Sequence, residues 1–149
     1  MQRIESLGAL LRLSILEAAE QWRQIDKRAP FEPGQRQVDF VAVEVVLCHA
    51  AAQVVEHRRY GSSTAPTAPE PVQLVASLFR RPPSSVLAKM ANLDGSRPHG
   101  AKFDHAAGIV WTTDPDTFGR SYAVTILAAR RCGIDPGTLP DFLAPGWPA

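Results

Sequence analysis

Ser85, Lys89, Asn92 and Ser96 recur at i, i+4, i+7 and i+11, so on a helix they fall along one face. Their chemistry is of one kind. Lysine and asparagine hydrogen-bond the edges of purines, while serine hydroxyls and the free amides at a helix start hold phosphate oxygens. Arg80, Arg81 and Ser84 stand just ahead of this face, at the positive end of the expected helix dipole. Arg58, Arg59, Arg97 and Lys102 extend the basic section on either side. Between Arg58 and Lys102 the chain carries seven basic residues against Glu70 and Asp94, a local charge of +5 within a chain whose net charge is +1. Attraction to phosphate follows local rather than total charge, so this segment is the expected polyanion contact. The expected double-stranded DNA contacts are Arg58, Arg59, Arg80, Arg81, Ser84, Ser85, Lys89, Asn92, Ser96, Arg97 and Lys102. A packed helical hairpin with a solvated polar edge is the plain alternative.

No residue set reads as a catalytic centre. His49 and His57 lie eight positions apart, and His99 and His105 flank a loop whose nearby acid is Asp104, spacings that do not gather ligands for one metal. Asp114 and Asp116 bracket Pro115 and read as caps of the helix that follows. Cys48 and Cys132 are isolated in apolar stretches and read as buried free thiols. Neither a phosphate-binding glycine loop, a CxxC pair nor a Ser-His-acid arrangement is present. The expectation is a chain without catalytic residues, metal or cofactor.

The elements that must position the polar face are legible as helices. Val72–Phe79 reads as one short helix, Arg80-Arg81-Pro82 as a turn, and Pro83–Leu93 as a second helix with proline at its tolerated start. Together they make a helix-turn-helix-like centre over 72–94, with Ala76 at the close approach and Val86, Met90 and Leu93 on the buried side. Ahead of it, apolar residues from Ile4 to Ile25 predict one long helix across Arg3–Arg28, which either packs into its own domain or offers its stripe to a second copy. Val38–Arg59 predicts a further helix with Asp39 in its first turn, and Gly61–Pro71 predicts a loop. Beyond the centre, helices are expected around Phe103–Trp111 and over Phe118–Cys132, the latter stopped by Gly133. The tail is expected to lie across the surface, anchored by Leu139, Phe142, Leu143 and Trp147.

These elements and the absence of strand alternation predict an all-α fold, a compact helical domain with extended loops. The 149 residues suffice for one core, with residues 1–35 as an N-terminal helix and linker and 36–149 as the remainder. Hydrophobic residues at 45% and charged residues at 21% fit a folded globular chain and exclude disorder throughout. No apolar run reaches membrane-spanning length and no leader precedes the first helix, so a cytoplasmic protein is expected.

The stretch LVASLFRRPPSSVLAKMANLDGSRPHGAKFD resembles the N-terminal region of HNH-type restriction endonucleases, and Val38–Tyr60 is similar to the helix that precedes it there. The matching residues are Arg81, Ser85, Val86, Lys89, Asn92, Leu93 and Asp94, while Arg80 departs from the glycine common in such turns. The resemblance implies a recognition domain for double-stranded DNA, one that reads modified cytosine in some restriction systems, ahead of a cleavage domain. A free-standing dimeric regulator pairing through Ile4–Ile25 and a protein-interaction module are the competing expectations.

Overall fold

The computed structural model describes residues 4–61, 63–97 and 100–145. Seven α-helices and two 3-10 turns make up the regular structure among the described residues, and none of these residues is in a strand. The helices are α1 (Leu7–Leu11), α2 (Ile15–Asp26), α3 (Ala42–Ala52), α4 (Glu70–Phe79), α5 (Pro83–Asp94), α6 (Asp104–Thr113) and α7 (Pro115–Arg131). The all-α expectation holds. No helix is long and apolar enough to cross a membrane, among the described residues.

The run AVEVVLCHAAA explains the architecture. With apolar residues on every side it cannot lie on a surface, and Ala42 through Ala51 are all buried in α3, the central helix. Helices α1, α2, α4, α5 and α7 pack against it. Trp22 of α2 and Phe79 of α4 meet at 6.3 Å between ring centroids, and the Trp22 indole donates to the Thr125 carbonyl of α7 at 3.0 Å. Ser121 of α7 donates to the Leu10 carbonyl, which ties α1 to the same helix.

The long N-terminal helix is broken in two. Ser14 accepts from the Glu17 amide while the Glu17 carboxylate accepts from the Ser14 amide, a capping box that starts α2 afresh. The apolar stripe packs inward, with Leu10, Leu13, Ala18, Trp22 and Ile25 all in the chain's own core; Leu16, 83% exposed, is the large apolar residue left outside. Ile4, Leu7, Leu11 and Ile15 of the same stripe are half-buried.

The second helix is shorter than Val38–Arg59. It starts at Ala42, with the Glu44 carboxylate accepting from the Val41 amide, so Glu44 and not Asp39 is its first-turn acid. It ends at Ala52, and His57–Arg59 forms a separate 3-10 turn. Helix α4 begins two residues early at Glu70, because Pro71 occupies the tolerated first turn. Helix α7 also begins early, at Pro115, with Asp114 accepting from the Thr117 amide and hydroxyl as the expected cap. Gly133 takes φ +85 just past its end. In the tail, Leu139 and Phe142 are buried and Leu143 is exposed; Trp147 lies outside the described residues. Cys48 is buried and Cys132 half-buried, and both are free.

Candidate nucleic-acid interface

The two helices expected at the centre are present as α4 and α5, joined by Arg80, Arg81 and Pro82. Arg80 adopts the left-handed conformation at φ +57, and the Arg81 amide closes on the Ala76 carbonyl at 2.9 Å, the bond that ends a helix when a residue takes this conformation. The position thus uses the backbone geometry that glycine adopts most easily, although arginine stands there.

Both arginines of the turn make contacts within the chain: Arg81 is buried, whereas Arg80 stays half-exposed. Arg80 donates through Nη1 to the carbonyls of Ile25 and Asp26 at the end of α2 and of Arg28 just beyond it. Arg81, with its side chain 2% exposed, donates Nε and Nη2 to the Glu44 carboxylate and its remaining groups to the Val38 and Asp39 carbonyls and to Gln37. Arg28 adds a two-point contact to the same carboxylate at 2.7 and 2.8 Å. Burial pushes the Glu44 carboxyl up, but hydrogen bonds from Arg28 and Arg81 outweigh it and hold the group below the usual carboxylate range.

Lys89 is buried as well. It does not share an exposed face with Ser85 and Ser96: its side chain is 8% exposed and its Nζ pairs with Asp104 at 2.7 Å. The cause is the approach of α6, which brings Asp104 over the middle of α5. Of the remaining residues on the expected face, Ser85 donates to Gln37 at 2.9 Å, half-buried Asn92 lies against Gly100, and Ser96 is exposed beyond the helix end.

Of the basic residues expected to contact DNA, those exposed at the surface are Arg58, Arg59, Arg97 and Lys102. Arg58 and Arg97, far apart in sequence, line one groove between the 3-10 turn and α5 together with Tyr60, Ser84 and Ser96. Ala88 and Ala91, following Ser84 at i+4 and i+7, line its α5 side together with Leu87. At the groove's edge Asp94 accepts from Arg58 at 3.2 Å, while His57 Nε2 lies 2.7 Å from the same carboxylate but off the hydrogen-bond direction. Burial raises the Asp94 carboxyl, yet hydrogen bonds from Ser96 and the charges of His57 and Arg58 leave it lowered. Arg58 keeps 63% of its side chain exposed.

Among the described residues no group of His, Cys, Asp and Glu side chains is arranged to hold a metal. His49 is buried against Trp111 and Phe118, with burial alone lowering its pKa to about 4. His99 lies outside the described residues. Compared with protein-family models, with curated proteins and with solved structures, the chain has no significant match in any of the three.

Glu44 and Arg28 organise the fold although neither was a sequence candidate, and Asp104, read only as the acid near His99 and His105, is the partner of Lys89. Glu44 carried a signal, as a single charge inside an otherwise apolar run, which requires a buried partner wherever the run forms a core helix.

Proposed function

We propose that this chain is a double-stranded DNA recognition domain, of the kind that precedes the cleavage domain in HNH-type restriction endonucleases, and that it grips the phosphate backbone in the groove between the His57–Arg59 turn and α5. The observation that supports this reading is the convergence of Arg58, Ser84, Ser96 and Arg97 on that groove. These residues come from separate segments of the basic section, and guanidinium and hydroxyl groups are the side chains that hold phosphate. Exposed Arg59 lies in the same turn and adds to the local positive potential.

The test is a titration of a labelled duplex at several salt concentrations. Arg58→Ala and Arg97→Ala are each expected to lower the slope of log affinity against log salt by about 0.9, since each lost phosphate contact releases fewer counterions. Absence of duplex binding by the unaltered chain at low salt, or unchanged slopes in both variants, overturns the reading.

A further inference from the structure

A second cavity lies on the other side of α5 from the phosphate groove, between the Gln37–Phe40 segment and the chain leading into α6. Ser84, Ala88 and Ala91 border the groove, whereas Lys89, one position and about 100° further round the helix, lines the cavity. Its volume of about 480 Å3 lies within the range of small-molecule sites. We infer that this cavity receives an unpaired nucleobase, an inference that rests on the DNA-binding reading above.

The walls select for a ring. Phe40 and Phe103 supply aromatic surface, and the Arg81 guanidinium lies 3.8 Å from the Phe40 centroid. Arg81 itself has no donor to spare, because Glu44, Gln37 and the Val38 and Asp39 carbonyls engage each of its nitrogens. Lys89 differs. Its ammonium carries three donors, of which one goes to Asp104 and none to another described acceptor; the nitrogen otherwise sits 4.5 Å from the Phe40 centroid. A buried ammonium with donors unfilled favours a ligand bearing an acceptor.

The charges select against phosphate. Arg81, Lys89 and Lys102 line the cavity, and so do Glu5, Asp39 and Asp104, which cancels the attraction an anion would feel. A neutral planar ring remains, with acceptors for Lys89 and donors for the exposed Asp39 carboxylate. A nucleobase has both along one edge. A base leaves its stack at a cost of a few kcal/mol, which is smallest where it is already unpaired.

The experiment compares binding of a fully paired duplex and the same duplex with one unpaired base, using the whole chain. The unaltered chain is expected to bind the second at least about ten-fold more tightly, because the unstacking cost is reduced. Ala101→Trp, at an exposed position on the cavity rim, is expected to abolish that preference and leave paired-duplex affinity unchanged. Asp39→Ala, also exposed, is expected to reduce the preference and serves if the tryptophan variant misfolds. Equal binding of both duplexes by the unaltered chain overturns the inference and leaves the phosphate groove standing. If neither duplex binds, but free nucleosides give saturation-transfer signals that Ala101→Trp removes, the base held in DNA is overturned as occupant, along with the reading beneath it. Silence in every arm overturns both.

Discussion

Arg81 meets Glu44 at two points, Nε to Oε2 at 2.5 Å and Nη2 to Oε1 at 3.1 Å, and so locks the turn before α5 to the first turn of α3. Both side chains are almost wholly buried. A carboxylate in that position is tolerable only while hydrogen-bonded and paired, and Arg28 brings a second guanidinium to it from beyond the end of α2. Three segments of the chain thus close on one anion. Arg81, which reads in sequence as part of a phosphate grip, is instead buried here and fixes the start of α5 against α3.

Loss of this contact is expected to act on folding. Arg81→Ala leaves Glu44 buried with one guanidinium in place of two, and the unfolding free energy measured in urea should fall by about 3 kcal/mol or more. Arg81→Lys should recover little, since an ammonium cannot reproduce the two-point fork. Unchanged stability with weakened duplex binding would return Arg81 to the DNA surface.

Arg80 offers a separable test, because two effects oppose each other at one residue. Its φ of +57 costs a non-glycine side chain about 1 kcal/mol, while its guanidinium caps α2. Arg80→Gly removes both and Arg80→Ala removes only the cap, so the glycine variant should be the more stable of the two by about 1 kcal/mol. Thermal denaturation of both variants decides, and the reverse order would contradict the left-handed turn.

Acid should weaken the fold in a defined window. Burial lowers the His49 pKa from 6.5 to about 4, so the unfolded chain binds a proton there more readily than the folded one. The stabilising effect is complete above 6.5 and is lost as pH falls towards about 4, up to about 3 kcal/mol. Glu44, also lowered in the fold, loses its contribution in the same direction only below its ordinary value of 4.5. His49→Phe should therefore flatten the stability curve between pH 6.5 and 4.5, measured by urea unfolding. A curve of unchanged slope would remove His49 as its cause.

Gly108 sets how closely α6 approaches α5. A Cβ there would stand 2.0 Å from the Leu93 carbonyl oxygen, which is backbone and cannot swing aside. Gly108→Ala normally favours a helix by up to about 1 kcal/mol. Here it should destabilise by about 1–3 kcal/mol, as an overpacked core does. A gain in the melting temperature would show that the helices are not held at this distance.

The helices were legible wherever one face alternated with another at helical spacing, as in α4, α5 and α7, and wherever proline or glycine marked an end. The capping box at Ser14 and Glu17 was equally written in the sequence, but an uninterrupted apolar stripe masked it. The charged candidates were harder to place. Periodicity puts a residue on a face of its own helix and says nothing of which other helix arrives there, and Asp104 reaches Lys89 only through the packing of α6 on α5. Local charge likewise counted Arg81 and Lys89 as exposed, although Arg81 is buried on Glu44 and Lys89 is buried beside Asp104. Arg58 and Arg97 were named as candidates, but their sharing of one groove is a tertiary fact.

The Lys89 and Asp104 pair gives the sharpest division between a folding role and a direct role in sequence reading. On an exposed helix face, Lys89→Ala would leave stability within about 0.5 kcal/mol and relax sequence preference. In the fold described, Asp104 is 1% exposed and Lys89 is its hydrogen-bonded counter-ion, so Lys89→Ala strands a buried carboxylate and should cost about 3–5 kcal/mol. Asp104→Leu strands the ammonium and should cost a similar amount. The double variant Lys89→Met with Asp104→Leu removes both charges and fills their space, and it should recover most of the loss, because an apolar pair replaces a buried ion pair at little net cost. Urea unfolding of the unaltered chain, both single variants and the double variant measures this coupling; additive losses would place the two groups in separate environments. The folded double variant then isolates recognition from stability. It should bind a paired duplex through the unchanged Arg58 and Arg97 groove while losing its preference for an unpaired base, since the cavity no longer holds an ammonium with donors to offer.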